Sequence, residues 1–263
     1  MRAFALALAL GLALALALAA GALAGAPPPS GPEVKTEAGV ARPFGTGAGQ
    51  VWVLRPNAGA PRSVVVYLHG WGASSPFEWH LAWMDHLLAR GSAVIFPRYQ
   101  EGSYDDPLVT TIFDLEEGLR TGFEALGEPG LPVVVAGFSW GGTLAFFYAA
   151  NAGRWGLPRP RAVYSVFPAD PLGVDPRLDL PRLRRTRVVL LVGDRDDVVG
   201  TYGADTFWKW LRPVPASLKT YRVIRSTGKL FADHQAPTVP SRPVVRKVFW
   251  APLDALVAEA RRR

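Results

Sequence analysis

Short, uninterrupted apolar runs alternate with longer amphipathic stretches along this chain, and that alternation restricts its architecture more than any other feature. Residues 50–55, 63–68, 92–97, 131–137, 161–167, 187–192 and 218–224 are short runs rich in β-branched and other apolar side chains. Helical periodicity occupies residues 78–90, 108–126, 141–152, 202–211 and 244–262. A strand that is apolar on every residue must be covered on both sides. The pattern therefore predicts an α/β fold, a doubly wound, mostly parallel sheet with helices on both faces. The first two runs are the exception, since only a Pro- and Gly-containing turn at 56–61 separates them. At 263 residues with 49% hydrophobic content the chain can bury one full-sized core.

The N-terminus lies outside this pattern. Met1 and Arg2 precede an apolar run over residues 3–20 and a small-x-small site at Ala22-Leu23-Ala24, which is the grammar of an export signal. Residues 1–24 are expected to be removed, giving a secreted or periplasmic protein; an uncleaved membrane anchor is the alternative. Residues 25–43, rich in Pro, Gly and Ala, read as a flexible linker, so folding is expected to begin at 44 and run to 263. The net charge is +7, but the arginines are scattered, the densest groups being Arg182 to Arg187 and Arg261 to Arg263. They read as a solvated face, with no nucleic-acid partner and no membrane contact after signal cleavage. The absence of cysteine removes disulfides, thiolate nucleophiles and thiolate metal sites. No histidine pair has metal-ligand spacing either, so no metal site is expected.

In a parallel sheet the functional loops gather at the carboxyl ends of the strands. The segment Gly137-Phe138-Ser139-Trp140-Gly141-Gly142 follows one buried run and opens a helical one, which is the setting of a nucleophile elbow. Side chains two positions either side of such a serine must be minimal, and Gly137 and Gly141 meet that requirement. A serine needs a base. Of His69, His80, His86 and His234, the last lies in an aperiodic loop beyond the final strand. The others follow an early strand or sit in the helical pattern near it, where surface or capping roles fit them better. The acid that orients the base should lie between serine and histidine in sequence. Asp194, Asp196 and Asp197 share one turn after a buried strand, with Asp170 a fourth candidate. His69-Gly70-Trp71-Gly72 follows the strand at 63–68, where a first oxyanion donor belongs. The backbone N–H groups of Trp71 and Trp140 are the expected pair.

These features, in this order, resemble the α/β-hydrolase superfamily over nearly all of residues 50–263, and within it compact secreted esterases of the dienelactone-hydrolase or polyester-hydrolase kind. The turn Gly193-x-x-Asp196-x-x-Val199 matches the superfamily's acid turn and favours Asp196. The resemblance implies a cofactor-free acyl-enzyme mechanism on a small or polymeric ester, with catalytic Ser139, His234 and Asp196. The connection between 167 and 187 is about 20 residues long, too short for a large cap, so an open site is expected. Trp71, Trp140, Phe77, Tyr99 and Phe138 are candidates for its apolar lining, Trp71 and Trp140 foremost. Other acyl-transfer chemistries on the same residues, such as peptidase, thioesterase, lactonase or acyltransferase, remain alternatives, as does a non-catalytic envelope binding protein.

Overall fold

A computed structural model describes residues 26–101, 110–171, 180–239 and 242–263. The proposed signal segment lies outside these residues. The apolar runs become β3 (Val51–Pro56), β4 (Val64–Leu68), β5 (Ala93–Pro97), β6 (Val133–Phe138), β7 (Ala162–Val166), β8 (Arg187–Gly193) and β9 (Lys219–Ile224). Two further strands precede them, β1 (Val34–Lys35) and β2 (Gly39–Phe44). Together they form a 9-stranded sheet of order β1-β2-β3-β5-β4-β6-β7-β8-β9. Strands β4 to β9 are parallel, while β3 runs antiparallel to β5 and β1 to β3 form an antiparallel meander.

Every residue of β4, β5, β6 and β7 is buried, as continuous apolar runs require. The two-residue period of a strand divides each run between two cores. Val64, Val66 and Leu68 face the layer built with α2 (Thr110–Leu126), α3 (Trp140–Asn151) and α4 (Tyr202–Trp210). Val65 and Tyr67 face the layer built with α1 (Leu81–Ala89) and α5 (Ala251–Arg262). Helix α3 runs behind β4, β6 and β7 and is buried from Trp140 to Ala150. Helix α5 is reached through a short turn (Pro243–Val245) and a π-helical turn (Arg246–Trp250), which interrupt the single helix expected over 244–262. No described helix is long and apolar enough to cross a membrane.

Residues 25–43 are not a linker throughout, because β2 pairs with β3 over six residues, from Gly39↔Pro56 to Phe44↔Val51. The signal was weak for a physical reason. The inward positions Gly39 and Ala41 are buried but small, so the strand lacks the bulky alternation that usually marks one. The folded unit therefore begins ahead of residue 44.

The order β5-β4-β6 contains the reversal that makes a crevice. The chain leaves β4 toward one side, then returns past it to build β6 on the other. Loops leaving β4 and β6 consequently diverge at their carboxyl ends, where ligands bind in open α/β sheets.

Candidate active site

Ser139 sits at that crevice, directly after β6, with φ 55° and ψ −123°. A non-glycine residue held there is strained by about 1–3 kcal/mol, so its surroundings must enforce the conformation. They do so through the backbone. Ser139 N–H donates to Val166 O of β7 at 3.0 Å, and Ser139 O accepts from Thr143 N–H at 3.2 Å and Ala169 N–H at 3.1 Å. The flanking glycines are obligatory: a Cβ on Gly137 would collide with Gly141 O, and one on Gly141 with the carbonyl oxygens of Leu68 and His69.

Two residues distant in sequence meet this serine. His234 Nε2 lies 3.0 Å from Ser139 Oγ, and His234 Nδ1 lies 2.9 Å from Asp196 Oδ2. Asp196 Oδ1 accepts the backbone N–H groups of Val198 and Val199, each at 3.1 Å, so both carboxylate oxygens are engaged. The Asp196 side chain is 0% exposed and that of His234 8%. The imidazole also lies against Phe138 and Phe167, at ring-centroid distances of 4.9 and 6.3 Å, which keeps water from most of its surface.

Backbone contact ties the histidine loop to the acid turn. Arg195 N–H donates to Ala232 O at 3.2 Å, and a Cβ at Gly193 would occupy the position of that same oxygen. The glycine that opens the acid turn is thus what lets the histidine loop close on it. Asp194 does not reach His234. Its Oδ1 accepts from Ser226 Oγ at 2.6 Å and from Ser226 N–H at 2.9 Å, and these bonds hold its carboxyl below the usual carboxylate range. Ser226 Oγ in turn accepts Ala232 N–H at 3.0 Å, so Asp194 braces the loop that carries His234. Asp197 is exposed and Asp170 half-buried.

The loop after β4 packs beside Ser139. Gly70 stands so close that an added Cβ would lie 3.3 Å from Ser139 Cβ, and the Trp71 and Trp140 rings meet edge to face at 6.1 Å. Trp140 is the first residue of α3, and the first N–H groups of a helix have no acceptor within it. The loop is fixed from behind by residues that sequence reasoning passed over. Gln100 Oε1 accepts Gly72 N–H at 3.1 Å. His69 is buried, with Nδ1 2.6 Å from Gly70 O and Nε2 2.6 Å from Arg98 O, and its ring stacks on Tyr99 at 4.0 Å. Burial pushes His69 down to about 4 despite those carbonyls, so at neutral pH a single ring N–H serves one of the two. Gln100 follows β5 at its carboxyl end, and the placement rule that pointed to Trp71 and Ser139 applied to it equally.

Other expectations need correction. Tyr99, Phe138 and the Trp140 side chain belong to the core rather than to a lining, and Trp140 Nε1 donates to Thr111 Oγ1 at 3.1 Å. Phe77 packs edge-on against Trp52 at 4.8 Å. Of the candidate lining residues, Trp71 and Phe77 retain partial exposure. His80 is not a surface residue: it is buried, its Nδ1 is 3.2 Å from Tyr67 Oη, and burial lowers it to about 3. His86 pairs with Asp254 at 2.9 Å and joins α1 to α5.

No family model and no curated protein sequence matches the chain. Solved structures do match it. Thermogutta terrifontis esterase 2, phosphorylated by paraoxon, aligns with 86% of this chain and 95% of its own at a TM-score of 0.65 and 14% identity. Esterase B from Lactobacillus rhamnosis aligns over 81% of each chain at 0.60 and 17%. A Klebsiella pneumoniae protein described as a dienelactone hydrolase aligns with 80% of this chain and 92% of its own at 0.57 and 18%. The fold is the α/β-hydrolase fold. With 892 matching chains, that architecture does not by itself select a reaction, which has to be argued from the site.

Proposed function

We propose that this chain, an α/β-hydrolase fold with a serine, an imidazole and a carboxylate in line at its switch point, is an exported carboxylic-ester hydrolase. The observation that carries the reading is the relay itself, Ser139 Oγ to His234 Nε2 at 3.0 Å and His234 Nδ1 to Asp196 at 2.9 Å, on a serine held at φ 55°. In this reading Ser139 Oγ attacks the ester carbonyl carbon while its proton passes to His234 Nε2. The carbonyl π pair moves onto oxygen, where the N–H groups of Trp71 and Trp140 stabilise it. Collapse expels the alcohol, which takes the proton from His234 and leaves an acyl-serine ester. Water then repeats the sequence, giving up a proton to His234, releasing the acid and restoring Ser139. Asp196 takes no proton; it fixes the imidazole tautomer and stabilises the imidazolium.

The surroundings favour an apolar ester. Trp79, Phe113, Val198, Tyr202, Phe231 and Val239 are exposed, and all lie in loops or first helical turns that follow the carboxyl ends of strands. The export element of the proposal is supported by the apolar run at 3–20. It is tested by N-terminal sequencing of the secreted protein, expected to start near Gly25; an intact Met1 would point to an anchor instead.

The chemistry is tested with a fluorophosphonate probe and a chain-length series of p-nitrophenyl esters. The probe should label Ser139, and short to medium acyl chains should turn over. Ser139→Ala should abolish labelling and lower turnover by about 10⁵-fold or more. Absence of labelling together with absence of ester turnover would reject the reading, whereas labelling with turnover of amides or thioesters alone would move it to another acyl transfer.

A further inference from the structure

The arginines that look scattered along the sequence converge in space. The connections entering the parallel strands, residues 57–63, 90–92, 127–132, 152–161, 184–186 and 211–218, hold Glu128 as their one acid, and the chain ends beside them in Arg261-Arg262-Arg263. Contacts show the convergence directly. Arg62 and Arg261 both donate to Arg90 O, at 3.1 Å each, and Arg263 reaches Arg185 O at 3.5 Å. Arg161 donates to Ala260 O and lines a small cleft with Arg187 and Arg263. Neighbouring strands lie about 4.8 Å apart, so the span from β5 to β8 makes this edge about 20 Å wide. Three acids temper it among the described residues: Glu259 against Arg263, Asp254 against Arg90 at 3.4 Å, and Glu128, which pairs with Arg55 at 3.4 Å. Burial, then the like charges of Arg62 and Arg90, disfavour the charged form of Arg261, a condition that an incoming anion relieves.

We propose that this edge, where the parallel strands begin, is an electrostatic docking surface for an acidic lipid bilayer, leaving the serine on the opposite edge turned away from the membrane. Two observations favour a bilayer over a nucleic acid, and the proposed export agrees with them. The surface is the broad end of a sheet, to which α5 contributes only its last turn. The exposed aromatics Trp79, Phe113, Tyr202 and Phe231 all follow the strands' other ends, so stacking platforms for bases are absent here among the described residues. Export, as proposed above, would place the mature chain beside membranes. The vesicle result itself requires neither export nor esterase activity.

The test is co-sedimentation of the mature chain with phosphatidylcholine vesicles containing about one third phosphatidylglycerol, against pure phosphatidylcholine. Binding should require the acidic lipid and vanish in about 1 M salt, where charges are screened within about 3 Å. Arg159, Arg185 and Arg262 are exposed. Arg159→Glu, Arg185→Glu and Arg262→Glu together should weaken binding by about 100-fold, with the melting temperature retained. Lysine at the same three positions should restore binding. The same charge change elsewhere, Arg222→Glu, Arg225→Glu and Lys229→Glu, should alter it by less than about threefold. Equal losses in both glutamate triples would overturn the proposal in favour of net charge alone. No binding to acidic vesicles would also overturn it, and tighter binding to DNA than to vesicles would reassign the surface to nucleic acid.

Discussion

The two edges of one sheet are built on opposite principles. At the carboxyl edge the backbone is strained and polar groups are buried. The non-glycine residues with positive φ, Tyr99 at 35°, Ser139 at 55° and Phe167 at 51°, follow the ends of β5, β6 and β7 in turn. Gln100 Nε2 and His80 Nε2 are buried there without a hydrogen-bond partner among the described residues. At the amino edge the arginines satisfy carbonyl groups: Arg62 and Arg261 at Arg90, Arg161 at Ala260, Arg187 at Ser217. One edge stores backbone strain, as reactive sites do, while the other is relaxed, with positive φ only at glycine among the described residues. The contrast teaches that a parallel sheet can segregate reactivity from solubility simply by which end of each strand a residue occupies.

The sharpest way to test that contrast is at the carboxylates of the reactive edge. Asp196→Asn should lower kcat by about 10³–10⁴ with the fold intact, as loss of the orienting acid does in other triads. Asp194→Asn, Asp197→Asn and Asp170→Asn should each cost less than about tenfold. A larger folded-state loss at any of those three would move the acid there.

Next in size is the acid limb of stability. His69 and His80 are held neutral at about 4 and about 3, below the unfolded value of 6.5. Between these values the unfolded chain binds protons that the folded one refuses. Stability is therefore full above about pH 6.5 and lost as pH falls toward 4, by on the order of 3 kcal/mol for each group. Urea midpoints across that range should record the decline, and His80→Phe should flatten it. Constant midpoints from pH 7 to pH 5 would contradict the burial argument.

A pair of glycine substitutions carries the contrast to a smaller scale. Gly193→Ala, at the reactive edge, must push Ala232 and the histidine loop away, and should cost about 10² in kcat. Gly130→Ala lies at the relaxed edge with φ 86° and nothing within 4 Å of the new methyl, so it should cost about 1 kcal/mol of stability and no activity. Smallest of all, Arg263→Ala removes a half-exposed pair with Glu259 and should change stability by about 0.5 kcal/mol, read from denaturant midpoints.

Legibility in the sequence followed the same division. Strands β4 to β7 were readable because continuous burial leaves a continuous apolar run, and the major helices because one buried face leaves a helical period. Ser139 was readable because its elbow needs two glycines at fixed spacing. His234 and Asp196 were reached by elimination and by the superfamily's turn spacing, and the geometry places His234 against Ser139 and Asp196 against His234. What escaped were contacts made by single polar side chains. Gln100 at Gly72, Ser226 at Asp194 and His69 between two carbonyls impose no pattern on their neighbours. β2 was missed because small residues conceal burial, and the basic edge because spatial gathering across the starts of several strands leaves no run along the chain.

The three residues of the relay are separated by long intervals, and the last of them, His234, stands beyond the final strand. The relay therefore exists only after β8 and β9 have been laid onto the growing sheet and the loop past them has folded back over Gly193. On the esterase reading proposed above, residues through 234 must leave the ribosome before a competent serine can form. On the export reading, a chain threaded through a translocation pore in extended form would travel as an inert precursor, acquiring reactivity only at its destination.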